Sequence, residues 1–239
     1  MEQELKTELQ HIRDNGYAVP DDADAYPYAQ WMLDAVGSPD FERQDELIYD
    51  TLAHWIDRGE FRAKELRGLL LQVLSPGYLF WGIGEKGTDS VLKRAFSVRI
   101  VALMLAAHER EPFLSYEQLM SVAEEVIQYV YEEQDARGLA YGANALDALV
   151  RVLEDVGFAQ AALIAIRRKI GQADFECERL VMTLWDKELL TEAQWRSWFS
   201  VFAESGKPFL RRLYSSVRQT HPACAALVLE TLEQLGEFE

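Results

Sequence analysis

Apolar positions along the chain recur at intervals of three and four, the spacing that lines one face of an α-helix. Leu5, Leu9 and Ile12 stripe a first segment, and a short second one runs from about Tyr28 to Val36. Ser38-Pro39-Asp40 is expected to open a third, carrying Leu47, Ile48, Leu52, Trp55 and Ile56. A fourth carries Leu66, Leu69, Leu70, Val73 and Leu74, and stops at Ser75-Pro76-Gly77, where proline withholds a helical donor. Thr88 or Asp89 is expected to cap a long fifth helix to about Glu109, apolar all round at its centre and therefore buried. Ser115 and Gln118 have the spacing of a capping box, in which each side chain satisfies the other's backbone N–H; they open a sixth helix to about Glu133. Helices near 143–155, 158–170 and 176–187 follow. Thr191 with Gln194 caps another, and Pro208 and Pro222 start the last two.

No stretch alternates β-branched with polar residues, so the pattern predicts an all-α fold of about twelve helices. At ~40 residues per helical pair, the period is that of HEAT-type repeats. The expected architecture is a HEAT-like α-α superhelix of antiparallel helical hairpins, with a compact bundle as the competing arrangement. No repeat is visible in the residues themselves. No linker or low-complexity stretch interrupts the chain, and 1–239 reads as a single all-helical domain.

Charge narrows the partners. Lys and Arg number 24 against 40 Asp and Glu, a net charge of −16. That sign repels phosphate backbones and anionic membranes, so neither nucleic acid nor membrane is expected as a partner. The excess is uneven: residues 1–60 hold 15 acidic and 4 basic residues, the rest 25 and 20. This is either a solvated acidic face or a dock for a basic partner. Met1-Glu2-Gln3-Glu4-Leu5 lacks the basic segment of an export signal, and the longest apolar run, Ile100–Ala107, falls far short of the ~20 residues that span a bilayer. A cytoplasmic location is expected, with Cys177 and Cys224 reduced.

Catalytic motifs are scarce. Gly82-Ile83-Gly84-Glu85-Lys86-Gly87 spells G-x-G-x-x-G, but a dinucleotide site needs a strand before it, and Glu85 and Asp89 would oppose a phosphate. These read as turn glycines. His11, His54, His108 and His221 are far apart, Glu8 with His11 is a lone E-x-x-H, and no G-x-S-x-G occurs. No catalytic residue, metal ligand or cofactor is assigned. Trp195, Trp198, Phe199 and Phe202 recur at helical spacing and read as a core face. One region is richer. Glu132, Glu133 and Asp135 crowd a helix C-terminus, where the macrodipole disfavours negative charge. Arg137 is local, and an antiparallel hairpin of the fifth and sixth helices would bring Asp89 and Arg94 alongside. The glycine loop 82–87 and a connection over Gly138–Asn144 should meet at the same end. Asp89, Arg94, Glu133, Asp135 and Arg137 are thus the candidate cluster, either an ion-pair network or a ligand pocket, with Arg94 expected to pair with Glu133 or Asp135. Arg167-Arg168-Lys169 reads as cations favoured at a helix C-terminus.

These residues also carry a family resemblance. Asp89-Ser90-Val91-Leu92-Lys93-Arg94-Ala95-Phe96-Ser97 resembles the D-S-V-F-x-R-S-F-S of a bacterial family catalogued as domain of unknown function 2785. Glu133-Gln134-Asp135-Ala136-Arg137-Gly138 is similar to its E-x-D-x-R-G, with weaker echoes at Asp45–Tyr49 and at Phe175-Glu176-Cys177-Glu178-Arg179, over about residues 30–205. The resemblance implies a HEAT-like helical superhelix and no established activity. Relatives usually continue with G-W-A-H-x-x-A-H, where this chain has Gly142-Ala143-Asn144-Ala145-Leu146-Asp147-Ala148, without Trp or His. The preferred reading is a non-catalytic protein- or peptide-binding module. The alternative is an enzyme or small-ligand protein using the charged cluster.

Overall fold

The computed structural model describes residues 2–21, 23–37, 42–171 and 177–237. Among them the chain forms twelve α-helices and no strand. The first six are α1 (Glu2–Asp14), α2 (Ala25–Asp34), α3 (Glu42–Asp57), α4 (Ala63–Leu74), α5 (Ser90–Arg110) and α6 (Tyr116–Glu132). They are followed by α7 (Ala136–Leu153), α8 (Val156–Arg167), α9 (Glu178–Asp186), α10 (Glu192–Phe199), α11 (Lys207–Val217) and α12 (Pro222–Gln234). None of these is long and apolar enough to cross a membrane. The expected opening Ser38-Pro39-Asp40, like Phe175 and Glu176, lies outside the described residues.

The helices sort into two layers. α1 packs on α3, α3 on α5, α5 on α7, α7 on α9 and α9 on α11, so the odd-numbered helices form one continuous row. In the other layer α2 packs on α4, α6 on α8 and α10 on α12. α5 sits in the middle of the first row, between α3 and α7 and against α4. Its Val98, Ile100, Val101, Met104 and Leu105 are all fully buried, which is why its sequence has no polar face there.

Local signals account for most boundaries. Ser115 with Gln118 and Thr191 with Gln194 form reciprocal capping boxes, and Pro208 and Pro222 occupy first turns. α2 starts at Ala25, ahead of Tyr28, because the Asp24 carboxylate accepts the Tyr26 N–H. Asp89 takes the N-cap position of α5 without a side-chain bond to it, and the Thr88 hydroxyl donates to Glu85 instead. The turn between α5 and α6 is tied by His108, whose Nδ1 accepts the N–H groups of Phe113 (2.9 Å) and Leu114 (3.2 Å). Burial lowers its pKa, in keeping with a ring nitrogen used as an acceptor.

α7 departs from expectation. It starts at Ala136 rather than near 143, so Gly138–Asn144 is two helical turns and not a connection. The Asp135 carboxylate caps it by accepting the Arg137 N–H at 3.1 Å. Gly138 and Gly142 are one turn apart and serve close packing on α6. A Cβ at Gly142 would lie 2.8 Å from Val130 Cγ2. In an open helix Gly→Ala gains about 1 kcal/mol, whereas forcing a methyl into a packed contact costs about 1–3 kcal/mol. Gly142→Ala is therefore expected to lose about 1 kcal/mol net in urea unfolding. A gain would show that α6 and α7 lie further apart than this.

Candidate functional site: a buried charge network

Arg94 projects from the first turns of α5 and Glu133 follows the last residue of α6; both side chains are fully buried. They meet as a two-pronged pair, Nε to Oε2 at 2.7 Å and Nη2 to Oε1 at 3.0 Å. Arg94 Nη1 donates to the carbonyls of Trp81 (2.8 Å) and Gly82 (2.9 Å) and to Ser90 Oγ, and Nη2 also reaches the Glu85 carbonyl at 3.3 Å. Glu133 Oε1 accepts the N–H groups of Gln134 and Asp135, each at 2.9 Å. Arg94 thus meets Glu133, not Asp135, and each charge is also bonded to the backbone of a connection.

The glycine loop takes its shape from the same contacts. Gly82, Gly84 and Gly87 all have positive φ, a conformation that side chains disfavour. The loop turns carbonyls toward a guanidinium, whereas a phosphate cradle turns N–H groups toward an anion. One N–H does face a carboxylate: Gly87 donates to Asp135 Oδ2 at 3.0 Å. Arg137 completes that corner, with Nε to Asp135 Oδ1 at 3.0 Å, Nη2 to Oδ2 at 2.9 Å, and Nη2 to the Thr88 carbonyl at 3.1 Å. The Arg137 guanidinium, helped by the Gly87 and Arg137 N–H groups, holds the Asp135 carboxyl well below the usual carboxylate range. Asp89 stays at the exposed rim and acts on Arg137 only through its charge.

Two neighbours join that sequence spacing does not reveal. Lys169, read as a cation at the end of α8, lies beyond it and is 4% exposed. Its Nζ donates to the carbonyls of Tyr131 (2.9 Å) and Glu133 (2.8 Å), neutralising the C-terminal end of α6. Tyr129 is fully buried beside Glu133, and burial pushes its phenol well above its ordinary range. Its hydroxyl faces the Glu133 carboxylate without closing a hydrogen bond of good geometry to it. A Cβ at Gly138 would sit 2.5 Å from that hydroxyl and 2.7 Å from Glu133 Oε2, so glycine is what lets ring and carboxylate share the space. A further buried acid, Asp147 of α7, ties α7 to α9 by accepting from Thr183 Oγ1 at 2.5 Å and pairing with Arg179 at 3.1 Å; it also pairs with Arg151.

The cysteines, histidines and clustered aromatic residues are placed as follows. Cys177 and Cys224 are buried, and burial raises both thiols, Cys224 to about 12, far from a reactive thiolate. Trp195, Trp198 and Phe199 are core residues. His11 faces Asn15, His54 stacks on Tyr17, and His221 bonds Asp186 at 2.7 Å. Among the described residues no group of three or more His, Cys, Asp or Glu side chains is placed to hold a metal ion.

Replacing a buried ion pair by apolar residues of similar size is often neutral or stabilising. Here Arg94→Met with Glu133→Leu is expected to cost at least about 3 kcal/mol in chemical denaturation, because carbonyls at 81, 82 and 85 and N–H groups at 134 and 135 lose their partners. A neutral double variant would show that water satisfies those groups. For Asp135 the folded-state pKa lies below the unfolded value of about 3.9, so its contribution is complete above that pH and is lost as pH falls toward the folded pKa. Asp135→Asn is expected to cost about 2 kcal/mol at pH 7. The gap from wild type should narrow on acidification, as followed by urea unfolding at stepped pH.

This network lies inside the stretch that carries a family signature. The family model described as a protein of unknown function (DUF2785) matches residues 79–213, from just before the glycine loop to within α11. No curated protein and no solved structure matches the chain. With more than half of its length under that model, the chain belongs to the DUF2785 family.

Proposed function

We propose that this protein is a non-catalytic module that binds a protein or peptide on the face of its odd-numbered helices. On this reading the hairpins stack as a HEAT-like α-α superhelix forming one cytoplasmic domain. Nucleic acid is not its partner. Arrays of this kind present extended surfaces to their partners.

The observation that carries the reading is Arg99 on α5. Its guanidinium lies 3.6 Å from the centre of the Tyr49 ring of α3 and 5.7 Å from that of Tyr141 of α7. Three successive helices of the continuous row therefore converge on one cation, which has no hydrogen bond or ion pair to an acceptor among the described residues. Stacking fixes the plane of the fork and leaves its edge for a carboxylate or carbonyl from outside. Asn144, one turn beyond Tyr141, is exposed on the same helix. The alternative, catalysis or small-ligand binding at Asp89, Arg94, Asp135 and Arg137, is less well supported, since the donors of that network are engaged within the fold.

A photo-crosslinking residue at Asn144, compared with one at the exposed Val156 of α8, tests this in cells. A discrete protein adduct is expected from 144 alone. Arg99→Ala should weaken it by about 2 kcal/mol, the scale of an interface hot spot. Adducts of equal yield from both faces, or none from 144, would refute the proposal.

A further inference from the structure

A groove of about 390 Å3 runs between α8 and α10, and none of its lining residues belongs to the buried network or stacks on Arg99. Its floor is apolar and preformed. Leu163, Ile164, Leu190 and Trp198 line it, and the Trp198 indole is locked by a 3.0 Å bond to the Leu163 carbonyl and by edge contacts to Phe199, Phe202 and Phe209. Arg167 lines the groove and makes no hydrogen bond or ion pair among the described residues. Its position at the end of α8 accounts for a cation there, but not for an apolar trough beside it.

Two other grooves differ from it. In one Arg110 pairs with Asp57 and in the other Arg196 pairs with Glu192, a carboxylate that lines the same groove in each case. In a chain with 40 acidic residues, the α8–α10 groove has a cation and no carboxylate among its lining residues. Its polar walls are the side chains of Gln160, Gln194 and Ser197, and Gln194 Oε1 is already spent on the Thr191 cap. Along the apolar floor a bound peptide would need partners for its backbone N–H and C=O groups, whereas an alkyl chain needs none.

We propose that the groove between α8 and α10 binds a monocarboxylate with a medium-length alkyl tail, the tail on Trp198 and Ile164 and the carboxylate paired with Arg167. The volume falls in the range of small-molecule sites. Arg167 supplies a planar fork suited to a carboxylate.

Calorimetric titration of the full chain with octanoate, 1-octanol and octylammonium tests this. Saturable one-to-one binding of octanoate is expected, with octanol and octylammonium each weaker by about tenfold or more, the scale of one charge-assisted bond. Arg167→Gln, a substitution at a partly exposed position, should weaken octanoate about tenfold and leave octanol unchanged. Ile164→Glu, at a residue 40% exposed, should abolish octanoate binding, with circular dichroism checking that both variants stay helical. Absence of saturable octanoate binding, an Arg167→Gln loss below about threefold, or octylammonium binding as tight as octanoate each overturns the proposal. None of these outcomes bears on crosslinking at Asn144, so the two proposals stand or fall separately.

Discussion

The pairing of Arg94 with Glu133 is the constraint on which this end of the molecule depends. Two charges with no exposed surface need more than each other, because attraction between them barely offsets the loss of water. The remainder comes from backbone. The Trp81, Gly82 and Glu85 carbonyls surround the cation, and the Gln134 and Asp135 N–H groups surround the anion. Two connections, the one ahead of α5 and the one ahead of α7, are thereby fastened to each other. Lys169 adds a third connection, the one after α8, through the carbonyls that end α6.

That fastening sets the relation between the layers. α5 and α7 are neighbours in the continuous row, and α6, which joins them along the chain, packs on α7 and α8. The α6–α7 connection is only Glu133-Gln134-Asp135, so α7 must start at once and lie close against α6. Gly138 and Gly142 permit this by removing side chains from the facing surface. Asp135 then serves at once as cap of α7, acceptor for the glycine loop and partner of Arg137.

Much of this was legible in the residues. Capping boxes at Ser115 and Thr191 and the prolines at 208 and 222 are local signals, and each marks a real boundary. The meeting of Arg94 with Glu133 was expected from an antiparallel hairpin of α5 and α6, whereas the packing that delivers it is that of α5 on α7, which starts just after Glu133. What failed to show were features made by distant elements. Gly138 and Gly142 resembled loop glycines because their reason for being glycine is Tyr129 and Val130 on another helix. Lys169 reaches carbonyls 36 and 38 residues earlier in the chain. The stacking of Arg99 needs three helices in register. The α8–α10 groove is a place where two helices stand apart, and nothing in local spacing marks a gap.

The glycine loop has one further consequence, for how freely its sequence can drift. Arg94 recognises it through carbonyl oxygens, which every amino acid supplies alike, and Arg137 reaches the Thr88 carbonyl in the same way. The exposed side chains at 81 and 86 are therefore bystanders to the contact that holds them, while Ile83 packs against the core. The backbone path is fixed, through the positive φ angles at 82, 84 and 87, while the surface it displays is open to change. A chain can redecorate such a loop over many generations without loosening it, because the lock reads the path and ignores the lettering.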